Sequence, residues 1–328
     1  MTGSTTHSTN TTAALPIKVG VSSCLMGEAV RFDGGHKRQI FLERVLSQYF
    51  EFKTFCPEMS IGLGVPRQTI RIVNAGNNPL DPIQRVVGTR DSTLDVTEKL
   101  SDSADQQQEW VADLCGYILK KDSPSCGMER VKVYTNGQPS RTGVGLFAQQ
   151  LMRNNPNLPV EEEGRLHDRP LRENFIERVY VMHRWKQMLA DGLTPKALVD
   201  FHRRHKFNLM SRHQDYYRKL GQMIANIPRN DLDNFAAEYL AALMQCLRKQ
   251  ATRRNHINVL QHIQGYLKRD IDSVDKHEIN EALAKCRNEG LPLTVPMTLL
   301  RHHFRKNPND YIGESYYFAP YPDELQYL

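Results

Sequence analysis

Nowhere in this 328-residue chain do 18 apolar residues run together, so no helix is expected to cross a membrane. Residues 1–14 are rich in Ser and Thr but lack the apolar centre of a signal peptide, and they read as a disordered tail on a cytoplasmic protein. Cysteine is scarce. Six in this length are too few for a disulfide framework, and none forms the Cys-x-x-Cys pair that opens many structural zinc sites. No internal repeat is present, and no low-complexity tract beyond the tail, which excludes solenoids and fibres.

What remains is a globular composition, 40% hydrophobic and 24% charged, on a chain long enough for two cores. Its net charge of +6 is uneven. Residues 1–164 hold 17 Lys and Arg against 18 Asp and Glu, whereas residues 165–328 hold 26 against 19 and carry 10 of the 12 histidines. A near-neutral part joined to a basic part suggests chemistry in the first and polyanion binding in the second. A basic surface that serves only solubility is the plainer reading.

Hydrophobic spacing divides the chain in the same way. Residues 17–22, 52–56 and 131–134 read as strands, with a further one near Val86; residues 40–50, 104–120 and 143–153 read as helices. This alternation predicts an α/β domain, a small parallel sheet with helices, over residues 15–166. After Glu161-Glu162-Glu163-Gly164 only helices are expected. Asp168-Arg169-Pro170 and Thr194-Pro195 have the cap-then-proline form of helix starts, and residues 230–250, 254–269, 273–289 and 295–306 continue an all-α domain over 167–328. Residues 311–328, rich in Tyr and Pro, are expected to pack as irregular chain.

Three cysteines fall in loops: Cys24 in Ser22-Ser23-Cys24-Leu25-Met26-Gly27, Cys56 in Cys56-Pro57-Glu58, and Cys126 in Ser123-Pro124-Ser125-Cys126-Gly127. Ligands of α/β sheets bind at the carboxyl ends of strands. Cys24 and Cys56 each follow a predicted strand, and Cys126 is expected after a helix, in a loop that folds back over them. Cys115, Cys246 and Cys286 lie on apolar stripes of expected helices and read as core residues. Three convergent thiols admit three readings: unrelated buried cysteines, a zinc site, or a [4Fe-4S] cluster on three cysteines with one iron open. Spacing alone does not choose among them.

These motifs, with Val30-Arg31-Phe32-Asp33-Gly34, Gly62-Leu63, Pro66-Arg67, Lys121-Asp122, Gly145-Leu146-Phe147-Ala148 and Leu158 to Leu166, resemble the thiouracil desulfidase family over about residues 17–166. The resemblance implies a [4Fe-4S] cluster on Cys24, Cys56 and Cys126, an acidic residue at Glu58, and a serine at Ser123 or Ser125. Phe201-His202-Arg203-Arg204-His205-Lys206, Gln261 to Lys268 and Arg301-His302-His303 resemble a second family, a helical domain of formerly unknown role. The fusion is similar to bacterial desulfidases that remove sulfur from 4-thiouridine in tRNA. It implies exchange of a thiocarbonyl sulfur for the oxygen of water without net electron transfer.

In that reading Glu58 is the candidate general acid/base, against a helix-capping glutamate. Ser125 or Ser123 donates a hydrogen bond, against simple turn chemistry. Arg31, Asp33 and Arg67 are candidates for substrate phosphate, ribose or base, against an ion pair that fixes a loop. In the basic part, Arg203, Arg204, Lys206, Arg212, Arg218 and Lys219 lie among His202, His205, His213, Phe207, Tyr216 and Tyr217, and Arg248, Lys249, Arg253 and Arg254 form a second cluster. Such residues suit phosphates and stacked bases, or are solvated helix faces. His202, His205, His262, His302 and His303 have no metal spacing. The expected partner is tRNA, with no membrane and no obligate protein partner. A desulfidase of free thiouracil or thionucleotides, and a non-catalytic iron-sulfur protein that binds nucleic acid, are the alternatives.

Overall fold

The structure, a computed structural model, describes residues 16–75 and 83–326. The expected tail at residues 1–14 lies outside them, as does part of the loop around Gly76, Pro79 and Pro82. No described helix is long and apolar enough to span a membrane.

The N-terminal region holds eight described strands: β1 (Lys18–Ser22), β2 (Glu51–Phe55), β3 (Ile70–Asn74), β4 (Gln84–Gly88), β5 (Gly116–Leu119), β6 (Val131–Thr135), β7 (Gln138–Gly143) and β8 (Val160–Glu162). They form two four-stranded sheets. The first, in the order β2-β1-β5-β8, is parallel throughout, in line with the sequence. The second, β4-β3-β6-β7, is mixed and has no counterpart in the sequence reading; its β6–β7 hairpin turns at Asn136-Gly137, both in the left-handed region that this dipeptide tolerates. Four α-helices among the described residues accompany the sheets, α1 (Pro57–Ser60), α2 (Thr97–Gln106), α3 (Gln108–Ala112) and α4 (Leu146–Asn154), and the helix expected over residues 40–50 is a π-helical turn (Phe41–Val45) followed by a 3-10 turn (Leu46–Gln48).

The helix expected over residues 104–120 is broken. Its first part belongs to α2 and α3, and Gly116–Leu119 is a central strand between β1 and β8. The stripe of Val111, Cys115 and Leu119 fits a helical period, but four consecutive buried residues serve a parallel strand covered on both faces. Cys115 therefore precedes a strand and does not lie on a helix.

From Arg169 onward the described chain is helical: α5 (Arg169–Ala190), α6 (Pro195–Arg212), α7 (Gln214–Ala225), α8 (Leu232–Leu247), α9 (Arg253–Gln264), α10 (Ser273–Arg287) and α11 (Thr294–Lys306), with short turns at Asp310–Gly313 and Asp323–Gln326 in the tail. The two expected starts are capped. Asp168 accepts the Leu171 N–H at 3.0 Å and Thr194 the Ala197 N–H at 3.1 Å.

The parallel sheet is sealed from two sides. Val19, Val21 and Ile118 share a core with Phe175, Val179 and Met182 of α5 and Tyr239 and Leu243 of α8. On the other face, Tyr117 and Leu119 pack with Phe147 and Leu151 of α4. The sheet approaches α5 closely because Gly116 has no Cβ; one there would lie 2.7 Å from Val179. A second helical core joins α6, α9, α10 and α11 through Phe207, Leu260, Leu283 and Leu300.

Candidate active site

Each of the three loop cysteines follows a strand of the parallel sheet. β1 runs into a single 3-10 turn, Ser23–Met26, that carries Cys24 and ends at Gly27 with φ +92°. β2 ends one residue before Cys56, which caps α1 with Pro57 in the first helical position. β5 leads through residues 120–125 to Cys126, so this thiol too comes from the sheet and not from a helix end. The strands β2, β1 and β5 are neighbours, and one cavity of about 300 Å³ at their carboxyl edge is lined by Cys24, Cys56 and Cys126 together. Burial pushes the Cys24 thiol up to about 11, and the nearby Cys56 pushes the same way. Burial also raises Cys56, and it carries Cys126 well above the ordinary thiol value, with Cys56 adding to the effect. Cys115, Cys246 and Cys286 are buried elsewhere. Among the described residues, no three His, Cys, Asp or Glu side chains converge tightly enough to hold a single metal ion.

Glu58 projects from α1 into the same cavity. Its Oε2 is held by Arg67, from Nη2 at 2.6 Å and Nε at 3.1 Å, and its Oε1 accepts the Ser125 hydroxyl at 2.9 Å. The two serines divide their work. Ser123 Oγ accepts the backbone N–H groups of Ser125 and Cys126, at 3.2 and 3.1 Å, and so shapes the cysteine loop. Ser125, fully buried, is the one that reaches the carboxylate. Arg67 also donates to the carbonyls of Gly64 and Val30, and its side chain is only 6% exposed. It is therefore a brace for Glu58 more than a free substrate contact. Arg31 lines the cavity. Asp33 does not; its carboxylate accepts the Gly35 N–H at 3.0 Å in an exposed turn, which holds it below the usual carboxylate range.

The acidic run read as a boundary has a structural task in this site. Glu163 accepts the Lys121 N–H at 2.8 Å and pairs with Lys120, while Glu162 accepts the Met128 N–H at 2.7 Å. Both ends of the Cys126 loop are thus pinned from β8 and the residue after it. Nothing in the spacing of three glutamates signals this, because their partners lie more than 30 residues away. Lys37, Lys120 and Lys121 join Arg31 and Arg67 on the cavity wall, so five cations line it against Glu58 and Asp122.

The basic residues of the helical half separate. Arg212 is no surface contact: its side chain is buried in an ion pair with Glu177. Arg203 pairs with Glu314 and Asp200, Arg204 lies 4.0 Å from Glu314, and Lys206 rests over the Phe207 and Tyr311 rings. Arg248 donates to the Pro156 carbonyl, and Lys219 and Lys249 are exposed. Arg218, Arg253 and Arg254 instead converge, with Arg287 and His262, on an open groove of about 1060 Å³ whose wall also carries Gln214, Asn255, Asn258, Gln261 and one acid, Glu289. Arg287 and the amide side chains escape a reading of the sequence because they are brought there from α7, α9 and α10.

A half-buried carboxylate held by an arginine and a serine, beside three thiols, is the equipment of an enzyme. Residues 19–163 match the family model of 2-thiouracil desulfurase, and residues 206–322 that of a protein family of unknown function (DUF1722). Residues 19–163 are thus a 2-thiouracil desulfurase domain, of a class that cleaves carbon–sulfur bonds, and the second domain follows it. An uncharacterized protein of Escherichia coli, YbgA, is 31% identical over 151 residues, 46% of this chain and 89% of that protein. The uncharacterized YbbK of Bacillus subtilis is 28% identical over 151 residues, 45% and 97% of the two chains. Among solved structures, the [4Fe-4S]-dependent thiouracil desulfidase TudS is 29% identical over 46% of this chain and 93% of its own, with a TM-score of 0.36.

Proposed function

We propose that this desulfidase acts on 4-thiouridine in tRNA, in the cytoplasm, with residues 15–166 as the catalytic part and 167–328 as the RNA-binding part. The observation that carries the proposal is one cavity in which three thiols, the Glu58–Ser125 pair and five cations meet. Its catalytic group is a [4Fe-4S] cluster on Cys24, Cys56 and Cys126. The donor set suits such a group. The thiols surround a cavity instead of converging on a point, and ligands of a cluster bind separate irons. Burial disfavours three bare thiolates there, a cost that a cationic group removes on binding. When bound, the cluster supplies a Lewis-acidic iron with affinity for the thiocarbonyl sulfur.

The rest falls to the chain. Glu58 takes a proton from the water whose oxygen replaces sulfur at carbon 4, and Ser125 and Arg67 hold the carboxylate in place. Thiocarbonyl and water become carbonyl and hydrogen sulfide, so no oxidant or reductant is required. Arg31, Lys37 and Lys121 suit the phosphates flanking a nucleotide more than a free nucleobase. A thiolated base in folded tRNA must leave its stack, at a cost of a few kcal/mol that backbone contacts offset.

Two measurements test this. Changing Cys24, Cys56 or Cys126 singly to serine is expected to abolish bound iron and sulfide release, while Cys246→Ser keeps both; full iron in Cys126→Ser would sink the cluster reading. Sulfide release from thiolated tRNA should exceed that from free thiouracil at equal concentration, and the reverse order would replace tRNA by the free base. A third result concerns the groove. The combined Arg218→Ala, Arg254→Ala and Arg287→Ala variant should bind tRNA more weakly whatever its sequence. Its salt dependence should flatten by roughly 0.7–0.9 for each phosphate that the variant leaves unneutralised. Parental affinity and slope in a folded variant would remove the groove from the RNA path.

A further inference from the structure

Tyr117 stands in the middle of the parallel sheet, opposite Gly20 in the register of β1 and β5. It is fully buried, and its hydroxyl has no hydrogen-bond partner among the described residues. A buried hydroxyl without a partner is costly, and a native one calls for a reason. The position of the ring is not accidental. A Cβ on Gly20 would lie 2.4 Å from the Tyr117 ring, so the strand keeps a glycine where the ring crosses it. Phe147, Trp110 and Phe55 close the ring in, and Cys126 belongs to the same buried cluster. The titratable groups that act on the hydroxyl are Cys126, Cys56 and Cys24. Tyr117 does not line the cavity itself.

The geometry points to Tyr117 as a positioning residue whose hydroxyl donates a hydrogen bond to a cysteine sulfur of the group bound by Cys24, Cys56 and Cys126. The inference rests on the cluster reading above. A hydrogen bond to a ligand sulfur withdraws charge from it and raises the reduction potential of the cluster. The same bond satisfies a hydroxyl that the cluster-free chain leaves unpaired.

The test is Tyr117→Phe in the full chain. The loaded variant is expected to keep its iron and sulfide, to show a midpoint potential more negative than the parent's, and to lose part of the shift that the parent's Fe–S stretching bands undergo in D2O. A potential and a deuterium shift equal to the parent's would overturn the assignment. The fold is checked on the cluster-free chain, where removal of an unpaired hydroxyl leaves the melting temperature at or above the parent's. A lower one would reveal a partner within the chain and overturn the assignment as well. The cysteine-to-serine series separates the two failures. Iron retained there sinks the cluster itself, whereas iron lost there with unchanged Tyr117→Phe spectra sinks only the role of Tyr117.

Discussion

Glu58→Gln is expected to retain bound iron and the parental fold while sulfide release falls by roughly 10²-fold or more, the usual scale for loss of a general acid/base. Glutamine is chosen because Arg67 is 6% exposed and leans on Glu58. Alanine would leave that guanidinium buried and unpaired, a loss of about 3–5 kcal/mol that would confuse chemistry with stability. The glutamine oxygen still accepts from Arg67, and the side chain keeps its volume, but it cannot take a proton from water. Ser125→Ala removes the 2.9 Å bond that orients Oε1 and should cost less, since the base itself survives. Ser123→Ala should act differently. It frees the N–H groups of Ser125 and Cys126, so its effect belongs to cluster retention and not to the rate of the loaded protein. Unchanged turnover in fully loaded Glu58→Gln would make Glu58 a structural residue.

The site is legible in the sequence where its chemistry is local. Cys24 and Cys56 follow short strands, and a thiol just past a strand of an α/β sheet lies at the edge where ligands bind. For Cys126 the sequence points to the right loop but to the wrong element before it, because Gly116–Leu119 continues the apolar stripe of the preceding helices. Short apolar runs carry no period that tells a buried strand from a helix. The same ambiguity conceals Tyr117, which only a strand puts opposite Gly20. The braces are illegible for another reason. Arg67 on Glu58, Glu163 on the Lys121 N–H and Arg212 on Glu177 are pairings between elements, and charge spacing along the chain carries no trace of them. Arg212 shows the consequence. In the sequence it sits in a basic stretch; in the fold it is committed to a buried carboxylate.

The melting temperature should fall steadily as pH is lowered from 6.5 to 4, and the helical region should fail first. His202 and His205 of α6 are buried among Phe201, Tyr239 and Tyr316. Burial pushes His202 down to about 4, helped by Lys206, and His205 to about 3, helped by Arg184. The hydrogen bonds suit neutral rings: His205 Nδ1 donates to the Phe201 carbonyl at 2.8 Å, and His202 Nδ1 shares 2.9 Å with the Tyr239 hydroxyl. His205 Nε2 faces no partner among the described residues, so a proton placed there would be a buried, unpaired charge. In the unfolded chain both rings titrate near 6.5. Below that pH the unfolded state binds protons that the native state refuses, and stability drains away until the native values are reached. At 1.36 kcal/mol per unit, each ring costs roughly 3 kcal/mol by pH 4, and the two together rival the net stability of a domain, about 5–15 kcal/mol. The window lies mostly above the ordinary carboxylate range, so carboxylates contribute little until its lower end. His202→Gln should flatten the slope between pH 6.5 and 4.5, whatever it does to stability at pH 7. A melting temperature at pH 4.5 equal to that at pH 7 would mean that the rings accept protons in the folded chain, and the neutral packing of α6 would have to be abandoned.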